Sequence, residues 1–312
     1  MDSVTQFALG AAIGEAVLGR KVGKRAAITG GLVATLPDLD TFIPWEDAVA
    51  AFTYHRSATH SLLMLSLVSP LVGWLVLKSQ QALGPHSRKV YLMVFLVLFT
   101  HPLLDGFTVY GTQLFWPLNA YPVSWSTIFI VDPAYTLWLL TGFISAMVMS
   151  RERSTGHVLN YAGLVISSCY LNWTVAAKVV VDARAERLLA AQGIAYDKLM
   201  STPAPFNTLV WRIIGRVEDG YFDAFLPVFA SAGPLEVNFH DSDDALLDEL
   251  GGHWPVQRLV WFTHGFYKVT RRGKDIVVTD LRMALEDGYV FNFKVAESGP
   301  GGILPVTGRL TP

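Results

Sequence analysis

The chain has 312 residues, of which 52% are hydrophobic and 16% charged, against roughly 25% charged in an average soluble domain. A mean hydropathy of +0.37 leaves too little polar surface for a wholly soluble protein, so lipid is the expected solvent for part of the chain. A net charge of -2 gives no basic footprint for nucleic acid, and the single cysteine, Cys169, excludes an internal disulfide and a cysteine-rich metal site.

Six apolar runs precede residue 182. Ser3–Gly19 and Ala26–Leu36 are short and rich in Gly and Ala. With Gly10 four residues before Gly14, and Gly30 beside Gly31, they read as a closely packed hairpin held by neighbouring helices. Glu15, inside the first run, is an acid within an apolar segment and so a functional candidate. The first basic residue, Arg20, follows this run, the reverse of a cleavable signal peptide. Ser61–Leu77 and Val90–Leu104 are rich in Leu and Val. Thr127–Met149 and Val158–Ala177 are the longest and reach the roughly 20 residues that a span requires.

Basic residues orient these runs. Arg20, Lys21, Lys24, Arg25, Lys78, Arg88, Lys89, Arg151 and Arg153 fall between runs one and two, three and four, and five and six. The alternate loops carry only Arg56, nine against one. The positive-inside rule puts the basic loops in the cytoplasm and the other loops outside.

Composition changes near residue 183. Ala183–Gln192 reads as a helix and Thr202–Phe206, with Pro203 and Pro205, as a loop. Arg258–Thr270, Asp275–Leu281 and Tyr289–Ala296 read as strands, with turns at Arg271–Lys274 and Glu286–Gly288. The expected fold is an α-helical multi-span membrane domain, residues 1–182, with four to six membrane-embedded helices. A soluble β-rich (α+β) tail, residues 183–312, follows on the outer face.

The unusual polar residues gather at one end of this arrangement. Asp38 and Asp40 close the second run, His55, Arg56 and His60 open the third, His101 and Asp105 close the fourth, and Asp132 lies near the start of the fifth. All fall on the outer side, although only Lys and Arg set the topology. His nitrogen and Asp oxygen suit zinc and similar divalent ions. His101 and Asp105, four apart, share a helix face, with Pro102 pulling His101 toward a helix boundary. Asp38 and Asp40 point the same way only on an extended backbone. His55 and His60, five apart, need at least one loop position. Arg56 suits an anionic phosphate oxygen. Asp132, before Pro133, fits a helix cap as well as a ligand or general base. His86, His157, His240, His253 and His264 read as surface or structural.

These motifs in order, Met1-Asp2-Ser3-Val4-Thr5-Gln6, Leu36-Pro37-Asp38-Leu39-Asp40, His55-Arg56 with Thr59-His60-Ser61, Thr100-His101-Pro102-Leu103-Leu104-Asp105 and Ile128-Phe129-Ile130-Val131-Asp132-Pro133, resemble the YdjM-like family of membrane-bound metal-dependent hydrolases over roughly residues 1–180. Many members have His where this chain has Gln6. Gln257–Leu285 resembles the extra domain of one branch of that family. The His101–Asp105 pair is similar to the zinc-ligand motif of bacterial zinc phospholipase C and P1-type nucleases, which implies phosphoester hydrolysis by analogy.

The expected protein is thus a hydrolase of the bacterial cytoplasmic (inner) membrane. Asp38, Asp40, His55, His60, His101 and Asp105 are expected to hold a divalent metal, zinc first. Arg56 would hold phosphate and Asp132 would serve as ligand or base. A membrane lipid headgroup is the natural phosphoester substrate. Two alternatives stand beside this reading: a structural or regulatory metal site without catalysis, and an ion-coupled transporter using Glu15 and Asp132. The sequence leaves the oligomeric state open.

Overall fold

The structure, a computed structural model, describes residues 1–149, 154–229, 233–285, 288–299 and 302–310. Arg151, Arg153 and the first two residues of the turn expected at Glu286–Gly288 lie outside the described residues. The helices are α1 (Ser3–Gly14), α2 (Arg20–Val22), α3 (Lys24–Ala34), α4 (Ala48–Tyr54), α5 (Leu62–Ser79), α6 (Ser87–Gly106), α7 (Pro133–Val148), α8 (Thr155–Ala191) and α9 (Trp254–Phe262). Ten strands follow α8: β1 (Lys198–Pro203), β2 (Val210–Val217), β3 (Gly220–Pro227), β4 (Val237–Asp241), β5 (Tyr267–Arg272), β6 (Asp275–Asp280), β7 (Ala284–Leu285), β8 (Gly288–Tyr289), β9 (Asn292–Gly299) and β10 (Gly302–Leu310).

The chain divides into two compact units. One comprises Met1–Phe42 with Arg56–Val175, the other Ile43–His55 with Ala176–Pro312. In the first, three helical segments are long and apolar enough to cross a membrane: Leu62–Ser79, Gln81–Gly106 and Thr155–Ala191, the last continuing into the second unit. Pro133–Val148 is a shorter apolar helix. With 12 and 11 residues, α1 and α3 are too short to cross alone, since a helix rises about 1.5 Å per residue against a core of about 30 Å.

These two helices instead pack closely. A Cβ built on Gly30 would stand 2.2 Å from the Gly10 carbonyl oxygen, and one on Gly14 2.2 Å from that of Ala26. Only glycine permits this approach. Lipid supplies no hydrophobic drive between helices, so such backbone proximity is what gives the pair its dispersion contacts. Buried Val90, Met93, Val94, Val97 and Leu98 of α6 continue the same core, with Ile13, Leu18, Ala26 and Val33.

Near Pro102 the sequence places a helix boundary at His101, but α6 runs through to Gly106. Proline removes only its own N–H bond, so the helix continues and keeps His101 and Asp105 on one face.

The second unit is β-rich, with two four-stranded antiparallel sheets in the orders β1-β2-β3-β4 and β10-β9-β6-β5 and a small β7-β8 pair. The turn expected at Arg271–Lys274 is the β5–β6 hairpin, with Gly273 at φ 63°. The strand expected from Arg258 is partly a helix: α9 ends at Phe262 and β5 begins at Tyr267. Pro255 stands in its first turn, and the buried Val256, Leu259 and Phe262 recur at a helical period rather than alternating. Segment 43–55 joins this unit through Phe52, whose ring lies 4.5 to 5.0 Å from those of Phe262, Phe291 and Phe293. Arg258 Nε also donates to Thr53 Oγ1 at 3.0 Å.

Candidate metal centre

Four side chains from three places in the chain converge in the first unit. Asp38 lies in the 3-10 turn Pro37–Phe42 that follows α3. His60 ends the 3-10 turn Ala58–His60, immediately before α5. His101 and Asp105 project from the last turns of α6. One ligand atom from each lies within 4.8 Å of all the others.

The individual spacings are informative. His60 Nε2 stands 3.2 Å from Asp38 Oδ1, 3.1 Å from His101 Nε2 and 3.4 Å from Asp105 Oδ2. His101 Nε2 stands 3.5 Å from Asp38 Oδ1 and 3.9 Å from Asp105 Oδ2. Donors placed about 2.0–2.2 Å from one ion at tetrahedral angles are roughly 3.3–3.6 Å apart. Two imidazole nitrogens and two carboxylate oxygens therefore stand close to those separations, from 3.1 to 3.9 Å over the pairs above. Asp105 Oδ2 is buried and takes no hydrogen bond; the Arg56 guanidinium, with Nε 3.3 Å away, is a cation beside it.

His60, His101 and Asp105 are fully buried, while the Asp38 side chain is 17% exposed and is the side of the group nearest solvent. Burial pushes the His60 imidazole down to about 4, so it is neutral at neutral pH, the form that binds metal. Burial raises the Asp38 carboxyl, but hydrogen bonds from His101 and His60 outweigh it and hold the group well below the usual carboxylate range.

A second layer fixes this set. Thr59 Oγ1 donates to Asp40 Oδ2 at 2.6 Å and lies 3.1 Å from His60 Nδ1, with Asp40 Oδ2 itself 3.7 Å from that nitrogen. Asp38 and Asp40 thus reach opposite nitrogens of one ring. They do so from a 3-10 turn, not from the extended backbone that a shared direction would require. A carboxylate behind a ligating histidine sets its tautomer and orientation. On α6, Gln6 Nε2 donates to Asp105 Oδ1 at 2.9 Å and to the His101 carbonyl at 3.1 Å, and the Met1 amine also meets Asp105 Oδ1.

Arg56 is buried beside the group. Its Nε lies 3.3 Å from Asp105 Oδ2, its Nη1 and Nη2 donate to Thr108 Oγ1 and the Met1 carbonyl, each at 3.3 Å, and its guanidinium covers the Tyr110 ring at 4.7 Å. Its backbone sits at φ 63°, in the left-handed region, a conformation costing about 1–3 kcal/mol and maintained only where the surroundings enforce it. Here the enforcement includes Arg56 N donating to Asp40 and Arg56 O accepting from Gln113 N.

Of the eight residues singled out in the sequence, four form the group itself and Asp40 and Arg56 adjoin it. His55 caps the end of α4 and Asp132 caps α7, accepting from Tyr135 N and from the Tyr170 hydroxyl. Neither belongs to the four-residue group. The contacts of Gln6, Thr108 and Tyr110 were not foreseen. Gln6 carried a signal, since histidine is common at that place in the family it resembles.

A family model described as YdjM inner membrane protein matches residues 1–181. No curated protein and no solved structure matches the chain.

Proposed function

The chain belongs to the YdjM inner membrane protein family, and from that premise we propose that it is a membrane-bound, metal-dependent hydrolase of phosphoesters. The observation that carries this reading is the near-tetrahedral spacing of Asp38, His60, His101 and Asp105. Zinc is the first choice for two imidazoles and two carboxylates at such distances. A divalent ion held there would supply Lewis acidity, activating water and polarising a phosphoryl oxygen.

The chain's own residues do the rest. His60 and His101 offer imidazole nitrogens, and Asp38 and Asp105 balance the charge of a divalent cation. Asp40 and Thr59 orient His60. Arg56, with its Nε 3.3 Å from Asp105 Oδ2, would hold an anionic phosphate oxygen. Asp38, partly exposed, marks the side from which substrate would arrive. The membrane makes a lipid phosphoester the natural substrate class.

The nine-to-one distribution of basic residues supports placing this end of the helices, and the β-rich unit with it, on the outer face. A reporter fused after Arg88 should then read as cytoplasmic and one after Gly111 as external. The opposite pattern would move the centre to the cytoplasmic side.

Four protein donors also suit a closed, structural ion site, which is the second reading. Hydrolysis separates the two. The purified full-length protein, loaded with zinc or manganese, is assayed against aryl phosphodiesters and phospholipid vesicles. Metal-dependent turnover is expected in the wild type. Arg56→Lys should keep the metal yet lose roughly 10²-fold in rate, because lysine cannot reproduce the planar bidentate fork. Bound metal with no turnover on any substrate would favour the structural reading.

A further inference from the structure

A second polar cavity lies at the opposite end of α1 from the metal centre, about 20 Å along the helix axis by rise per residue. Its volume is about 650 Å³, and its lining includes Glu15, Arg20, Lys21, Lys89, His157 and Tyr161, all within the first unit. None of these belongs to the metal centre.

The cavity is built by a local irregularity. After Gly14 the helix widens into a π-turn, Glu15–Gly19, a feature concentrated at functional sites. The Glu15 carboxyl folds back over Gly19, where a Cβ would meet it at 2.1 Å. It is buried, with Oε1 3.6 Å from His157 Nδ1. The His157 ring packs edge-on against Tyr161, whose hydroxyl donates to the Ala16 carbonyl.

The balance of charge identifies the class of ligand. Arg20, Lys21 and Lys89 are exposed at the cavity and form no ion pair among the described residues. Glu15, the only acid among the described lining residues, stands 3.6 Å from His157 Nδ1. Among the described lining residues, three cations against one carboxylate favour an anion over a cation. The volume lies within the 300–1,000 Å³ typical of small-molecule pockets and exceeds what a bare oxyanion fills. Basic pockets between membrane helices bind phospholipid headgroups through the phosphate.

We infer that this cavity is a binding site for a phosphate group, of a phospholipid headgroup or of free phosphate, separate from the metal centre and held by Arg20, Lys21 and Lys89.

The test uses the full-length protein in detergent, with bound phosphatidylglycerol counted by native mass spectrometry and inorganic phosphate as competitor. Two double variants remove equal charge from the same basic stretch: R20Q/K21Q inside the cavity and K24Q/R25Q outside its lining. R20Q/K21Q should weaken lipid binding by at least roughly tenfold, and K89Q severalfold, while K24Q/R25Q stays within about twofold of wild type. All of these positions are exposed, so unchanged metal content and melting temperature serve as the folding control. Displacement of lipid by millimolar inorganic phosphate, with the same dependence on Arg20 and Lys21, would support the phosphate site with a soluble source. Equal loss in the two double variants, or loss in neither, would overturn it.

Discussion

Alanine at His101 is expected to remove bound metal almost completely. His101 supplies one of only four donors, is 1% exposed, and has its Nε2 within 3.9 Å of the three other donor atoms. No other histidine in the four-residue group can take its place, since His60 is already a member. Loss of an outer-layer partner typically costs 10–100-fold in metal affinity, so loss of a donor should cost more. His60→Ala and Asp105→Ala should behave alike, whereas Asp40→Asn, which alters only the group behind His60, should fall in the 10–100-fold range. Metal titration of each variant, with membrane insertion checked in parallel, gives the result. Full metal content in all three donor variants would end the assignment.

The second large effect is structural. Gly30→Leu should break the α1–α3 contact, because a Cβ there lies 2.2 Å from a backbone carbonyl, that of Gly10, which cannot rotate away like a side chain. Overpacking a tight core costs about 1–3 kcal/mol and occasionally more; Gly30→Ala should fall in that range and Gly30→Leu beyond it. The damage should reach the metal centre. Gln6, which holds Asp105, sits on α1, and α3 leads directly into the turn carrying Asp38. Gly84→Ala is the control, since a Cβ there meets nothing within 4 Å. Thermal melts of the full-length protein in detergent, paired with metal content, would show both effects. A Gly30→Leu variant as stable as the Gly84→Ala control would refute the close-packing account.

The contrast between what could and could not be seen in the sequence has physical roots. His101 and Asp105 were legible as candidates because a four-residue spacing puts them on one helix face, even with Pro102 pointing to a boundary between them. Asp38 and His60 were legible as candidates because their distance from Lys and Arg placed them at the same end of the helices. The β-rich character of the second unit was visible at β9, where apolar and polar residues alternate from Phe291 to Val295. The sheet β1-β2-β3-β4 was not. Along β2, six consecutive residues from Trp211 to Arg216 are buried, including Arg212 and Arg216, so no alternation survives to be read. Arg212 is held there by Asp223 on the neighbouring strand β3 at 2.8 Å and by the Leu281 carbonyl, 69 residues away. Phe52 gave no hint of its neighbours for the same reason: Phe262, Phe291 and Phe293 lie more than two hundred residues beyond it. A shared direction for Asp38 and Asp40 needs an extended backbone, which this segment does not have. A 3-10 turn turns them apart, and the two nitrogens of His60 bring them back to one centre.

Binding of a divalent ion by Asp38, His60, His101 and Asp105 underlies the proposed function. Its most direct test is the metal content of the wild-type protein, purified full-length in detergent, stripped with chelator and re-equilibrated with zinc or manganese. Close to one tightly held divalent ion per chain is expected, falling to near none in the His60→Ala/His101→Ala double variant. A correctly folded wild-type protein that retains neither zinc nor manganese would contradict the account.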